Sequence, residues 1–332
     1  MSRRAWLGLW IAAAVLIVPA AHLALGRGVD WSELLAGTDT VSWRVLTELR
    51  LPRLVVALFA GTALGLAGLA LQSVLRNPLA APELTAVNPS AVLGYLIASG
   101  TGLIDGGSVF SSVLSATVGG LLGGGLLWLV AHRRTSEQTA VLGLLSALAL
   151  TGVVTILIAA RPTGVGGALR WLIGSVEARV AEHVPMIAIP VLAGFAALVL
   201  VADRLEILAV SDSHAHCLGV SPGFWRGVGI GIAVLLASAA VATVGPLAFV
   251  GFVAPHVVRL VFGGRLRRQV VLVAVCGGLF VAASDLIAKA VSLAIQLTGD
   301  GQQVGVPVGA VTCLIGAAAL VAVASSHQES EP

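Results

Sequence analysis

Apolar runs of bilayer-spanning length follow one another along almost the whole chain, broken by segments of polar, charged, Gly and Pro residues. A hydrocarbon core about 30 Å thick takes roughly 20 residues of helix at about 1.5 Å per residue. Windows of that kind fall near residues 5–26, 54–75, 88–104, 110–131, 139–160, 184–202, 227–244, 248–262, 269–291 and 306–325. The composition agrees, since 58% hydrophobic and 11% charged residues, with a mean hydropathy of +1.01, lie far outside the range of a water-soluble domain. In lipid each spanning segment must satisfy its own backbone hydrogen bonds, and no stretch alternates like a barrel strand. The expected fold is therefore an all-α polytopic membrane protein of about ten transmembrane helices. The third and eighth windows are short and are expected to tilt, re-enter or stop partway.

Forty glycines fit such a bundle, because small residues let helices approach where no hydrophobic force drives them together. Gly61, Gly65 and Gly68 form one small face. If ten spans alternate, Arg3, Arg4, Arg76, Arg133, Arg134, Arg204, Arg226, Arg259, Arg265, Arg267 and Arg268 share one side, which is expected to be cytoplasmic, with both termini there. The other side keeps Arg27, Arg44, Arg50, Arg53, Arg161, Arg170, Arg179 and Lys289, so something besides topology holds cations outside. The first 26 residues also have the outline of a secretory signal, but their apolar run is long enough to span. Cys217, Cys276 and Cys313 have no paired spacing, and neither a disulfide nor a zinc framework is expected. Residues 1–332 read as one transmembrane domain, with polar intervals before Arg53 and at 203–226.

Several chemistries are excluded. A phosphate-binding loop needs a Lys on the nucleotide, and the single lysine, Lys289, lies in LIAKAVSL with no glycine loop before it. The chain is not expected to hydrolyse ATP. An ion-coupled carrier would be expected to hold several ionisable groups at membrane depth, where each costs about 2.5–3.5 kcal/mol on insertion scales. Only Asp285 lies clearly inside a span. It reads either as part of a transport mechanism or as a hydrogen-bond acceptor that stabilises the bundle, the second being preferred. No HExxH occurs, and His214 and His216 are two apart, which turns them away from each other on a helix, so no metal site is expected. His256, after Pro255, reads as a hydrogen-bonding group at a helix start rather than a ligand. Permeation or anchoring remains, with any energy coming from a partner. The interval 203–226, with turn formers and both signs of charge, is the best docking lever.

Ordered landmarks narrow the class further. They are RLPR (Arg50–Arg53), the glycine-rich span ending in Gln72, RNPLAAP (Arg76–Pro82, with Asn77 and Pro78) and WLIGS (Trp171–Ser175). After them come AHCLGV (Ala215–Val220), GPLAFVGFVAPHVVR (Gly245–Arg259, with Pro246, Pro255 and His256), SDLIAK (Ser284–Lys289) and PVG (Pro307–Gly309). In this order and spacing the chain resembles the FecCD-type permease subunits of bacterial ATP-binding-cassette importers for iron siderophores, haem and cobalamin.

The resemblance implies the type II importer permease fold, a bacterial inner-membrane location, and two permease subunits, identical or sister chains, around a central path. It implies a cytoplasmic ATPase dimer that carries ATP and Mg, so this chain itself binds no cofactor, and a periplasmic or lipid-anchored substrate-binding protein. Lipid is the surrounding partner, and nucleic acid is not one. Arg50, Arg53 and Lys289 match the positions where acidic residues of a binding protein dock. Residues 207–224 match the coupling loop, with Ser211, Asp212, Ala215, Leu218 and Gly219 at its recognisable positions. The family usually has Gly-Glu where Ser211 and Asp212 stand, bulkier residues where GAAAL (Gly316–Leu320) stands, and Leu in place of Val306. Spans five and ten would line the path, with Ser146 and Thr151 as polar lining residues. The expected cargo is a ferric siderophore, with cobalamin or haem as alternatives; an ion-coupled carrier and a non-transporting scaffold are the readings from other classes.

Overall fold

The window expected at 54–75 forms a largely enclosed helix in the computed structural model, which describes residues 3–26, 28–35, 40–104, 108–131, 136–160, 173–298 and 305–328. This helix, α4 (Leu51–Leu75), follows α1 (Arg3–Ala24), the short α2 (Trp31–Leu35) and α3 (Thr40–Arg44), and a π-helical turn (Val45–Arg50) that joins it without a break. After it come α5 (Val87–Gly100), α6 (Val109–Ala131), α7 (Ser136–Ala159) and α8 (His183–Val210). The chain ends with α9 (Asp212–Cys217), α10 (Pro222–Val244), α11 (Val250–Val261), α12 (Leu266–Thr298) and α13 (Val308–Gln328). Among the described residues six helices are long and apolar enough to cross a membrane: the continuous helix Val41–Leu75, α6, α7, α8, α10 and α12. The two short windows emerge as α5 and α11, of 14 and 12 residues. At about 1.5 Å per residue neither crosses a 30 Å core alone.

Glycine explains why α4 sits at the centre. α8, α10, α11 and α12 all pack on it, and against α11 and α12 glycine brings bare backbone together. A methyl group on Gly61 would overlap the carbonyl of Gly277 on α12, and one on Gly68 would overlap the carbonyl of Gly251 on α11. Dispersion between closely apposed backbones takes over where lipid offers no hydrophobic drive. Around this contact Leu64, Leu66, Leu69, Ile187, Leu236 and Val270 are all at most 2% exposed and form one core cluster.

α11 departs from the sequence reading at one point. Pro255 and His256 lie inside the helix, not at its start, and the His256 ring stacks on Phe252 with centroids 5.6 Å apart. Proline has no N–H to give to the carbonyl four residues back. That carbonyl belongs to Gly251, and the Gln72 side-chain amide of α4 donates to it at 3.1 Å. The Gln72 oxygen in turn accepts from Arg259, one turn from the other end of α11. A helix that proline weakens is thus fastened by a single side chain from α4.

Gly68→Val sets side-chain carbons where the Gly251 carbonyl stands, and neither backbone can retreat without parting α4 from α11. We expect a loss of about 1–3 kcal/mol, read as a lower unfolding temperature and less monodisperse protein in detergent. Gly231→Ala is the control: its added methyl meets nothing within 4 Å, and it should hold the unfolding temperature or raise it by about 0.5–1 kcal/mol of stability.

Candidate functional site

Arg53 and Arg76 stand at the two ends of α4, 23 residues apart, which is about 34 Å of helix. Each end carries a polar cluster.

At the Arg53 end Asp285 of α12 is 1% exposed and holds three elements together. Arg53 approaches it side-on, Nε donating to Oδ2 at 2.8 Å and Nη2 to Oδ1 at 2.7 Å. His22, in the last turn of α1, places Nε2 at 2.8 Å from Oδ2. Lys289, one turn further along α12, donates to the His22 carbonyl at 3.2 Å, and its Nζ lies 3.4 Å from His22 Nδ1. Of the two sequence readings of Asp285, this geometry is that of a bundle-stabilising acceptor. A buried carboxylate is tolerable when bidentate guanidinium and ring N–H partners replace its water.

Arg50, Arg53 and Lys289 do come together here, but they are not equally presented. The π turn before α4 swings Arg50 inward, where it is 6% exposed. Its Nη1 donates to the carbonyls of Leu23 at 2.5 Å and Ala24 at 3.3 Å. It caps the free carbonyls at the end of α1. Arg53 and Lys289 instead line a polar cavity of about 200 Å³ with Gly26, Glu177, Ser292 and Gln296. Glu177 and His22 were not singled out from the sequence; a histidine in the last turn of an apolar span was the available signal for His22. Nearby, burial lowers the Arg179 guanidinium from its ordinary value, and its Nη1 lies 3.3 Å from His183 Nε2.

At the Arg76 end the interval 203–226 is compact. α8 continues to Val210, eight residues past the expected span end. Ser211 then caps α9, its Oγ accepting from the His214 N–H at 3.0 Å. Ala215 is wholly buried against Leu208 and Val220, with Ile207 and Trp225 packed alongside. Gly219 takes φ +71° and turns the chain toward α10. Asp212 is engaged within the chain: Arg226 Nη2 donates to its two oxygens at 3.0 and 3.2 Å, and Arg76 Nη2 lies 3.3 Å from Oδ1. The Arg204 guanidinium sits 5.4 Å above the Trp225 ring. Leu218 and Phe224 remain 55% and 63% exposed. His214 and His216 are both exposed, and among the described residues no group of His, Cys, Asp and Glu could hold a metal ion.

The remaining sequence candidates are structural in this geometry. Asn77 Oδ1 accepts from the Leu79 N–H at 2.9 Å, and Pro78 is exposed. Gly245, at φ +78°, ends α10. Gly174 packs on the Pro246 carbonyl, and the Ser175 N–H donates to Val244 at 2.7 Å. Ser146 and Thr151 donate to carbonyls of their own helix, both at 2.7 Å. Ser146 lines an apolar cavity of about 470 Å³ between α5, α6 and α7, whereas Thr151 is exposed on α7. Arg27, Arg133, Arg134, Arg161, Arg170, Trp171 and Leu172 lie outside the described residues. A second carboxylate was also missed: Glu83, in a 3-10 turn (Pro82–Leu84) counted as loop, has both oxygens buried without a hydrogen-bond partner among the described residues.

The chain is similar to known proteins in sequence and in fold. The model of the FecCD transport family matches residues 9–326. The Fe(3+) dicitrate transport system permease protein FecD of Escherichia coli (strain K12) is 37% identical, over 90% of this chain and 92% of its own. The ferric enterobactin transport system permease protein FepG of the same organism is 34% identical, over 83% and 81%. The cobalamin import system permease protein BtuC of Halobacterium salinarum is 30% identical, over 85% and 73%. Among solved structures, an inward-facing metal-chelate type ABC transporter superposes with a TM-score of 0.83 at 23% identity, over 96% of this chain and 98% of that one. Sequence, relatives and architecture agree that the chain belongs to the FecCD transport family, as a multi-pass permease of the inner membrane.

Proposed function

We infer that the chain is the membrane permease of an ATP-driven importer and carries a ferric chelate, with a ferric siderophore as the first choice. The observation that carries this reading is the pair of polar clusters at opposite ends of one central helix. One presents cations and the other a folded lever, at a separation close to the thickness of a bilayer core. Relatives named for ferric dicitrate and ferric enterobactin support iron over cobalamin as the cargo. Energy comes from an ATPase dimer that holds ATP and Mg, and a second permease, identical or a sister chain, completes the path. The exposed Leu218 and Phe224 suit insertion into an ATPase groove. Alternating access then consists of moving the lever ends and changing which side of the path is open.

A substrate-binding protein with acidic residues docks at the Arg53 end. Arg53 and Lys289 serve this role better than Arg50, because their side chains line the open cavity while Arg50 is spent on α1. Pairs of this kind act mainly on encounter and orientation, so docking should weaken with salt.

The reading is tested by reconstituting the purified complex in vesicles: chelate uptake should need ATP and survive collapse of the ion gradients, and gradient-driven uptake without ATP would replace the importer by a carrier. Two variants probe the clusters. Arg53→Ala leaves Asp285 buried beside fewer donors and should cost about 3–5 kcal/mol, largely regained in Arg53→Ala with Asp285→Ala; additive losses in thermal unfolding would show that the pair is not coupled. Asp212→Asn should free α9 from Arg76 and Arg226 and cut uptake per ATP hydrolysed at least tenfold, about 1.4 kcal/mol of coupling, while assembly persists. Undiminished coupling would remove the lever assignment.

A further inference from the structure

Glu83 differs from Asp285 and Asp212 in having, among the described residues, no cationic side chain against its carboxyl group. The turn that carries it folds back from the Arg76 end: Pro82 packs on Gly251, which lies against the Leu64 carbonyl near the middle of α4. The residue as a whole is half-buried, yet neither carboxylate oxygen has accessible surface or a hydrogen-bond partner among the described residues. The backbone of Phe249 faces it, at the left-handed residue (φ +65°) that starts α11. The Phe249 side chain in turn packs on Gly316 of α13. Glu83 therefore sits inside the packing of α4, α5, α7, α10 and α11, one residue away from α13.

The charged groups on those elements are committed elsewhere. On α4, Arg53 pairs with Asp285 and Arg76 with Asp212. On α10, Arg226 pairs with Asp212, and on α11 Arg259 donates to Gln72 while His256 stacks on Phe252. α5 carries no charged residue, and the side chain of Glu137 on α7 lies outside the described residues. What is left to stabilise an anion is the N-terminus of α11. The penalty for taking an unpaired carboxylate out of water exceeds what a helix N-terminus returns. A carboxyl group in that position keeps its proton.

We propose that Glu83 is a proton-binding site of the permease, neutral in this conformation and ionised when the packing of residues 82–84 on α11 opens to water. The exchange balances simply. One O–H bond forms on closing, with a proton taken from water, and breaks on opening, with the proton returned. Because the closed packing binds the proton, lower pH favours this conformation and higher pH the opened one. The proposal stands whichever chelate is carried.

Infrared difference spectroscopy of the assembled permease in lipid nanodiscs at neutral pH tests it. The wild-type protein should show a protonated-carboxyl C=O band that shifts in D2O, disappears in Glu83→Gln and persists in Glu48→Gln, whose carboxylate is exposed beside Arg44. Loss of carboxylate bands alone in Glu83→Gln would overturn the proposal. So would a Glu83→Gln protein that fails to assemble, since glutamine copies the shape of the neutral acid and is harmful only if the charge was required.

Discussion

Backbone-to-backbone contact along α4 is the constraint on which the rest of this bundle depends. Helices in lipid gain little from hiding apolar surface from one another, so close approach and a few polar fasteners must hold them. The glycines at 61 and 68 supply the approach. The polar side chains on and just after α4 supply the fasteners, directed to α12, α11 and α9. Arg53 takes α12 through Asp285 and, through the same carboxylate, α1. Thr62 donates to the Ala274 carbonyl at 2.8 Å, Gln72 holds α11, and Arg76 reaches α9. Because these fasteners succeed one another along a single rigid rod, a disturbance at one level bears on the register of the others.

The two carboxylates within the bundle show how neighbours decide the state of a buried acid. Asp285 receives two hydrogen bonds from one guanidinium and contacts a histidine ring, with Lys289 one shell away. Its surroundings replace water almost completely, and the ionised form is the one they fit. Glu83 has the same functional group and no such company. The difference follows from position in the chain. Asp285 lies one helical turn before Lys289 at the cation-rich end, whereas Glu83 lies in the turn that packs on Gly251, where the one polar side chain of α4 nearby, Gln72, is already given to Gly251 and Arg259. An acid placed there is costly unless it is neutral, and that cost makes it sensitive to any opening of the packing.

Hydropathy made the helices legible because span length is set by the bilayer and not by tertiary detail. Leu51–Leu75 and Pro222–Val244 lie within a few residues of their expected windows. The short windows were also visible, and α11 does stop partway. Side-chain destinations were not visible. Arg50 and Arg53 look alike in RLPR, yet the π turn ending at Arg50 changes the helical phase and turns that side chain into α1 while Arg53 faces Asp285 and the cavity. Asp212 was read as a group for a partner, but its carboxylate meets Arg76 and Arg226, residues 136 and 14 positions away, and only the fold brings the first of them near. Glu83 escaped notice because a segment between two apolar windows is taken for solvent-facing loop, and this one returns to the interior.

Packing also divides the chain into a firm part and a looser one. In its most apolar stretch α10 has 83% of its residues buried and the helix Val41–Leu75 has 78%, against 17% for α7 and 22% for α6. The clusters at both ends of α4 are each anchored on that buried helix, Arg53 on Asp285 and Arg76 on Asp212. A rearrangement that separated α4 from α10 or α12 would strip glycine contacts and ion pairs together. One that shifted α7 against α5 and α6 would disturb mainly aliphatic side chains around the 470 Å³ cavity. Interfaces that lose little on displacement are where two arrangements can be close in energy, which is the condition a transport cycle has to meet. The turn that holds Glu83 touches both α4 and α7. It therefore lies on the seam between the part that must stay together and the part that is cheapest to move.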